Sequence, residues 1–351
     1  MRLEEQTPFI LHELCLGELK IKKLAEKMKV PHSTLYNRIK PLKEENILKF
    51  CPKYDVLGLT PTVILIAEKQ ARPQLPYTVV QTLVEGATKE YTLLFCVFPY
   101  RYLEKYITFI RGENDLVEIS PALNPIYWFP SPHIVYVKQR RLYVNWPRVQ
   151  KNISRKKHVS EIPEIGMKIA DKSNEVKGTI DEIDVLIIKE LEKNSLINIR
   201  KISEKIGLKF SIAFYHYNRH VKLVRYRYRL KFMPPDPSIK LYLLRAQSLR
   251  SLLYSLRLMS LLPFFLYAYP LANEPKAYIA FSAPVKDELE FFKLLRKLTR
   301  KQLLMDCRFI GYVRKITSFT IPFLALMNKR WVYTLDMKIG LGEKNEEITL
   351  M

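Results

Sequence analysis

The chain repeats itself, and no other feature restricts its fold as much. "LAEKMKV" (Leu24–Val30) lines up with "ISEKIGL" (Ile202–Leu208), and "LKF" at Leu48–Phe50 recurs at Leu230–Phe232. "PHIVYVKQRRLYVNW" from Pro132 parallels "PFLALMNKRWVYTLD" from Pro322, with Pro132/Pro322, Arg140/Arg330, Leu142/Val332 and Tyr143/Tyr333 in shared places. Each match is short, but all occur in the same order in both halves, which is the mark of an internal duplication. The repeated unit covers roughly 1–150 and 178–340.

Within each copy the hydrophobic period changes once. In the second, "DEIDVLIIKELEKN" puts Ile183, Leu186, Ile187 and Leu191 on one helical face, with acids in the first turn where they suit the helix dipole. A short helix "NIRKISEKIG" closing at Gly207, a third helix "SIAFYHYNRHV" and the strand "VRYRYRLKF" follow. The first copy reads alike, through "PFILHELCLGEL", "IKKLAEKM", "HSTLYNRIKPLKEEN" and the strand "ILKF". Helix, short helix, turn, helix and strand is the order of a winged helix-turn-helix, whose third helix enters the DNA major groove.

The rest of each copy is different in kind. In the second, "SIKLYLLRAQ", "LRSLLYSLRLM", "FFLYAYPL", "KAYIAFSAP", "KDELEFFKLLRKLTR" and "DCRFIGYVRK" read as the βαββαβ order of a ferredoxin-like unit. "TPTVILIAEK", "YTVVQTLVEG", "TLLFCVFP", "YRYLEKYITFIRG" and "DLVEIS" give the first copy the same plan with a cramped second strand. The predicted fold class is α+β. Winged helices at 1–56 and 178–235 alternate with ferredoxin-like α/β-sandwich domains at 57–150 and 236–340. A charged linker occupies 151–177, and an acidic, frayed tail occupies 341–351.

Charge narrows the choice of partner. Lys plus Arg number 58 against 35 Asp plus Glu, a net charge of +23 that favours polyanions. In "VRYRYRLKF", Arg225, Arg227, Arg229 and Lys231 alternate with Tyr226, Tyr228 and Leu230. Such alternation predicts a strand with a buried apolar face and a basic face turned to solvent, where phosphates would neutralise it. Cys15, Cys51, Cys96 and Cys307 stand far apart, which disfavours a zinc site and a disulfide framework and suits a reducing cytosol. The apolar run Leu258–Ala272 is too short for a membrane span and contains Pro263 and Pro270, so it reads as core. The expectation is a cytoplasmic, nucleoid-associated protein with no membrane segment. No P-loop, GxSxG, HExxH or GxGxxG occurs, so no enzyme activity and no cofactor are expected.

These segments together resemble the Lrp/AsnC family, the leucine-responsive and asparagine-responsive regulators of bacteria and archaea. "DEIDVLIIKELEKNSLINIRKISEKIGL" is similar to the family's opening, with Asp184, Ile187, Ile188, Leu191, Ile202 and Gly207–Leu208 in place. "STLYNRIKPLKEENIL" resembles its recognition helix at Ser33, Thr34, Leu35, Arg38, Ile39, Leu42 and Ile47. "YDVLGLTPTVILIAEK" resembles its link into the α/β domain, with Asp55 and Leu57–Gly58. The resemblance implies transcription regulation on double-stranded DNA. It also implies paired α/β domains, either in a homodimer or between the two halves of one chain. Pro31 and Lys209 replace the family's capping Ser or Thr. The effector loop lacks the family's Gly-acid pattern, so a small-molecule effector is not carried over.

The predicted DNA-binding residues of the first copy are His32, Ser33, Thr34, Tyr36, Asn37, Arg38 and Lys40, with Asn37 a candidate for bidentate pairing to adenine. Those of the second are Lys209, Ser211, Tyr215, His216, Asn218, Arg219 and Lys222 on the helix, and Arg225, Arg227, Arg229 and Lys231 on the strand. His216 and His220 stand at chelating spacing, but two histidines with no acid nearby in sequence predict no metal site. Two alternatives stay open. One is an enzyme of tetrapyrrole metabolism resembling siroheme decarboxylases, with His133 or Tyr136 in its site. The other is a basic protein associated with RNA or RNA polymerase.

Overall fold

A computed structural model describes residues 4–17, 20–68, 77–111, 116–139, 141–155, 180–231, 238–333 and 344–349. The predicted linker falls mostly outside them. Its first residues, 151–155, belong to helix α5 (Trp146–Arg155) rather than to a connection, because Val149 is buried and Lys297 donates to the Gln150 carbonyl at 2.8 Å.

The chain opens with α1 (Thr7–Leu16), α2 (Ile21–Met28), α3 (His32–Glu44) and β1 (Leu48–Pro52). The same order returns as α6 (Glu182–Lys193), α7 (Ile199–Lys205), α8 (Phe210–His216) and β9 (Arg225–Leu230). A π-helical turn (Tyr217–Val221) and a last helical turn α9 (Lys222–Val224) continue α8. Glu13 on α1 pairs with Lys27 at 2.7 Å, and Glu190 on α6 pairs with Lys205 at 3.1 Å, so one ion pair recurs in both copies. The two strands do not stand free. β1 and β9 pair antiparallel with Phe50 opposite Tyr228, while α1 packs on β9 and α6 on β1. Each copy therefore supplies the strand that covers the other copy's first helix.

All remaining large strands join one antiparallel sheet. The first copy contributes β2 (Leu59–Glu68), β3 (Thr78–Glu85), β4 (Glu90–Pro99) and, after α4 (Leu103–Arg111), β5 (Leu116–Pro121) and β6 (Ile126–Tyr127). The second contributes β10 (Ile239–Arg245), β11 (Phe265–Pro270), β12 (Lys276–Phe281) and β13 (Asp306–Phe319), with α10 (Leu249–Met259) and α11 (Val285–Arg300) between them. The strand order is β5-β2-β4-β3-β13-β10-β12-β11-β6. Each copy thus lays its strands in the same relative order, and the copies join through β3 and β13.

The sheet also closes. Ala122, directly after β5, bridges Leu271, directly after β11, and Leu123 donates to the Pro270 carbonyl at 2.8 Å. Closure brings distant strands face to face inside. Phe95 of β4 stacks on Tyr269 of β11 at 4.6 Å, and Thr82 of β3 meets the Tyr267 hydroxyl at 2.8 Å.

Several further expectations need correction. No helix is described between β2 and β3, since "YTVVQTLVEG" forms a full strand rather than a helix with a cramped strand. Among the described residues the first copy's α/β half is therefore β2-β3-β4-α4-β5 and departs from βαββαβ. The acidic end is not frayed: Lys344–Thr349 form β16, which pairs β13 in line with β10. Another concerns β9 and is taken up below.

The repeated "PHIVYVKQRRLYVNW" and "PFLALMNKRWVYTLD" form matching hairpins, β7 (Val135–Lys138) with β8 (Arg141–Val144) and β14 (Leu326–Met327) with β15 (Arg330–Trp331). The Trp331 indole donates to the Leu57 carbonyl at 2.6 Å, and the Trp146 indole to Asp287 at 2.8 Å, so each copy's end anchors on the other. The run Leu258–Ala272 is core, with Leu261, Leu262, Phe264 and Phe265 buried, and no helix among the described residues is long and apolar enough to cross a membrane.

The seam between the copies depends on glycine. A Cβ on Gly311 would stand 2.7 Å from the Glu85 carbonyl carbon and 2.9 Å from the Gly86 Cα, both backbone atoms that cannot swing aside. Gly311→Ala is expected to cost about 1–3 kcal/mol through overpacking. Thermal denaturation checks this, and an unchanged melting temperature would mean the seam is not close-packed.

Candidate nucleic-acid interface

Helix α3 separates its faces cleanly. Leu35, Ile39 and Leu42 are buried, while His32, Ser33, Tyr36, Asn37 and Lys40 are exposed. Thr34 and Arg38 are half-buried and line, with Asn37, a groove between α1 and α3. Arg38 is already engaged, by Glu4 at 2.8 Å and by Gln6. Pro31 precedes the helix and no side chain caps its first turn, which leaves those backbone N–H groups free for an anion.

The second helix presents a different surface. Lys209, Ser211, Tyr215, Arg219 and Lys222 are exposed, as predicted residues of an outer face should be. Phe210, Ile212, Phe214 and Leu223 are exposed too, with Leu223 at 69% and Tyr215 at 57%. Residue typing alone could not separate this aromatic outer face from a core stripe. Asn218 is turned back on its own helix: its amide donates to the Phe214 carbonyl at 2.8 Å and its oxygen accepts from Lys222.

His216 is a correction. It is buried, at 9% exposure, and cannot face a ligand outside the domain. Its Nδ1 lies 2.9 Å from Asp184 Oδ1, and His220 Nδ1 lies 3.0 Å from Asp184 Oδ2. The acid absent nearby in sequence is supplied by α6, 32 residues away. Burial raises the Asp184 carboxyl above its ordinary range, opposed by the Asp181 N–H and by the His216 ring.

The strand β9 overturns the expectation of a solvent-facing basic edge. Arg227 is 5% exposed, donates to the Pro125 carbonyl at 2.8 Å and lies over the Tyr127 and Tyr226 rings. Arg229 is half-buried over the same ring, 5.1 Å from the Tyr127 ring centre. Arg225 is half-buried over Tyr228 and against Gly17. Lys231 is half-buried, and its backbone N–H donates to Ile47 at 2.6 Å. Neither set faces open solvent: Tyr228 and Leu230 are buried, Arg227 and Arg229 lie over the Tyr127 ring of the sheet, and Arg225 lies over Tyr228.

Beneath this ribbon lies a chamber of about 20 Å³, bordered by Glu192, Arg229, Tyr127, Tyr226, Cys51 and Ser318. That is room for about one water. Glu192 accepts from the Ile321 N–H at 2.6 Å. Burial pushes its carboxyl up to about 8, against the Ile321 hydrogen bond and the charges of Arg229 and Lys49. The four cysteines are free thiols, and burial raises each of them. His133 and Tyr136 are exposed at the β7–β8 hairpin, where Tyr136 stacks on Tyr143 at 5.7 Å.

Two stability measurements follow from this junction. Arg227→Gln is expected to cost about 1.5–3 kcal/mol, the range for a hydrogen bond from a charged donor, and to lower the melting temperature. A variant as stable as wild type would return Arg227 to the surface. For Glu192, the folded-state value of about 8 exceeds the ordinary 4.5, so between those values the folded chain keeps a proton that the unfolded chain has released. Stability due to this group is full below the window and is lost as pH rises through it, by on the order of a few kcal/mol. The melting temperature of wild type should fall from pH 5 to pH 8 more steeply than that of Glu192→Gln; parallel profiles would contradict a buried, protonated Glu192. No protein-family model, curated protein or solved structure matches this chain, so its function rests on these residues and this geometry.

Proposed function

We propose that the chain is a DNA-binding transcription regulator or chromatin-associated protein. In this reading α1–α3 and α6–α9, with the shared ribbon, are two winged-helix units, and the two halves of the sheet, of which the second keeps the ferredoxin-like order, hold them in fixed relation. The observation that carries the proposal is the outer face of α3, where His32, Ser33, Tyr36, Asn37 and Lys40 are exposed above a fully apolar inner face. Polar side chains of this kind reach base edges in the major groove, and Asn pairs bidentately with adenine. The second unit adds Lys209, Arg219 and Lys222 as phosphate contacts, with Ser211 and Tyr215 between them. The net charge of +23 supports association with a polyanion.

Arg225, Arg227 and Arg229 are left out of the interface. Arg227 and Arg229 fasten the ribbon to the sheet, and Arg225 lies over Tyr228 against Gly17. A second reading, single-stranded nucleic acid or RNA, is favoured by exposed Phe210, Phe214 and Tyr215, since aromatic rings beside cations stack on unpaired bases.

Fluorescence anisotropy with duplex and single-stranded probes tests both readings. Duplex affinity is expected to fall ~10³–10⁵-fold between 50 and 200 mM salt if about 6–10 phosphates are engaged. Changing Lys209, Arg219 and Lys222 together to Gln should reduce the log–log salt slope by up to about 3 and weaken all sequences alike. Asn37→Ala should weaken a selected site by ~1–3 kcal/mol and leave random duplex nearly unaffected. A flat salt profile would sink the proposal, and tighter binding to single strands would replace it with the second reading.

A further inference from the structure

The two copies join their first and third helices in different ways. In the first, the Glu4 N–H donates to Thr7 Oγ1 at 2.9 Å; in the second, the Asp181 N–H donates to Asp184 Oδ2 at 3.0 Å. Thr7 and Asp184 are therefore equivalent. Aligning the copies through Leu24–Val30 and Ile202–Leu208 sets Arg38 against His216 and Leu42 against His220. Thr7, Arg38 and Leu42 all border the groove between α1 and α3. One copy thus closes this junction with a hydroxyl, an arginine held by Glu4 and Gln6, and a buried leucine. The other places a carboxylate and two imidazoles at the same three points.

Joining two helices does not require that exchange, as the first copy demonstrates. What the exchange creates is a convergent donor set. One atom each of Asp184, His216 and His220 lies within 4.8 Å of the other two, and the two Nδ1 atoms approach the carboxylate at 2.9 and 3.0 Å. A tetrahedral ion with bonds of about 2.0–2.2 Å separates its ligand atoms by roughly 3.3–3.5 Å, within a small shift of these positions. Asp181 Oδ1 stands 3.5 Å from His216 Nδ1 and can serve as a fourth ligand. The π-helical turn Tyr217–Val221 begins directly after His216 and contains His220, and such turns are frequent at functional sites. The His216 and His220 side chains keep 11% and 17% exposure, which leaves a path for an ion. The Asp181 N–H on Asp184 Oδ2 orients the carboxylate from behind.

We propose that Asp184, His216 and His220 form a binding site for a divalent transition metal of the zinc class, present in the second copy alone. Two imidazoles with carboxylate oxygen suit zinc, cobalt, nickel or copper and not calcium or magnesium, which take oxygen ligands. The ion would clamp α8 and its π turn to α6 and so set the pose of the outer face that carries Lys209, Ser211 and Arg219.

The test uses the full-length, tag-free chain after chelation, titrated with Co²⁺ alone and read by visible absorption, with Zn²⁺ as competitor. One equivalent should saturate, give the intense visible bands of a tetrahedral site, and be displaced by Zn²⁺. Zn²⁺ should also raise the melting temperature. His220→Leu, which installs the first copy's residue and is expected to fold, should bind at least ~100-fold more weakly and lose the melting shift. Asp184→Asn should bind weakly as well. Absence of saturable Co²⁺ bands in wild type, or equal binding by His220→Leu, would overturn the site, and the wild-type spectrum decides even if a variant fails to fold. Nucleic acid takes no part in these measurements, so the outcome is separate from that of the DNA-binding proposal.

Discussion

Everything else in the molecule depends on the way two half-sheets satisfy each other's edges. A four-stranded half-sheet presents two rows of unpaired backbone N–H and C=O groups, which invite pairing with any other chain. Here β3 takes β13 on one side, and the segment after β5 takes the segment after β11 on the other. Joining the halves at both places inside one chain shortens the free edges and creates an interior lined by Phe95, Tyr267 and Tyr269. The cost is steric: the seam at Gly86 and Gly311 admits backbone only.

Closure in turn fixes the helical layer. The ribbon of β1 and β9 crosses between the copies, α1 rests on the second copy's strand, and α6 rests on the first copy's. Arg227 and Arg229 bind this ribbon to Tyr127 and Pro125 at the sheet. A guanidinium is well suited to such a place, because it stacks on aromatic faces while its N–H groups reach carbonyls. Two arginines that look like part of a phosphate track instead hold the ribbon against the sheet.

Duplication leaves the copies free to diverge where packing permits. The Glu13–Lys27 and Glu190–Lys205 pairs, the two hairpins and the strand order stay alike. The third helices do not: α3 shows polar groups outward, and α8 shows aromatic rings with a buried Asp–His–His cluster behind them. A symmetric scaffold thus carries an asymmetric surface, and whatever it binds meets two unlike faces.

Local chemistry determined what could be read in advance. Helical and strand periods, Gly207 at a helix end and the paired repeats are properties of neighbouring residues, so most elements and their duplication were legible in the sequence, while "YTVVQTLVEG", read as part of a helical plan, is a strand. So was the outward set on α3, because Leu35, Ile39 and Leu42 define the inward one. Residues distant in sequence decided the rest. Alternation in "VRYRYRLKF" separates two faces but cannot say that rings of the other copy cover the charged one. His216 and His220 had no acid nearby in sequence until folding brought Asp184 against them. The end read as a frayed tail became β16 because β13 runs on past β10 and still had an edge to pair. Sequence by itself determined most of the elements and the repeat that relates them. Only tertiary structure decided which faces are covered, since burial of a charge or pairing of an edge depends on a partner that local pattern does not contain.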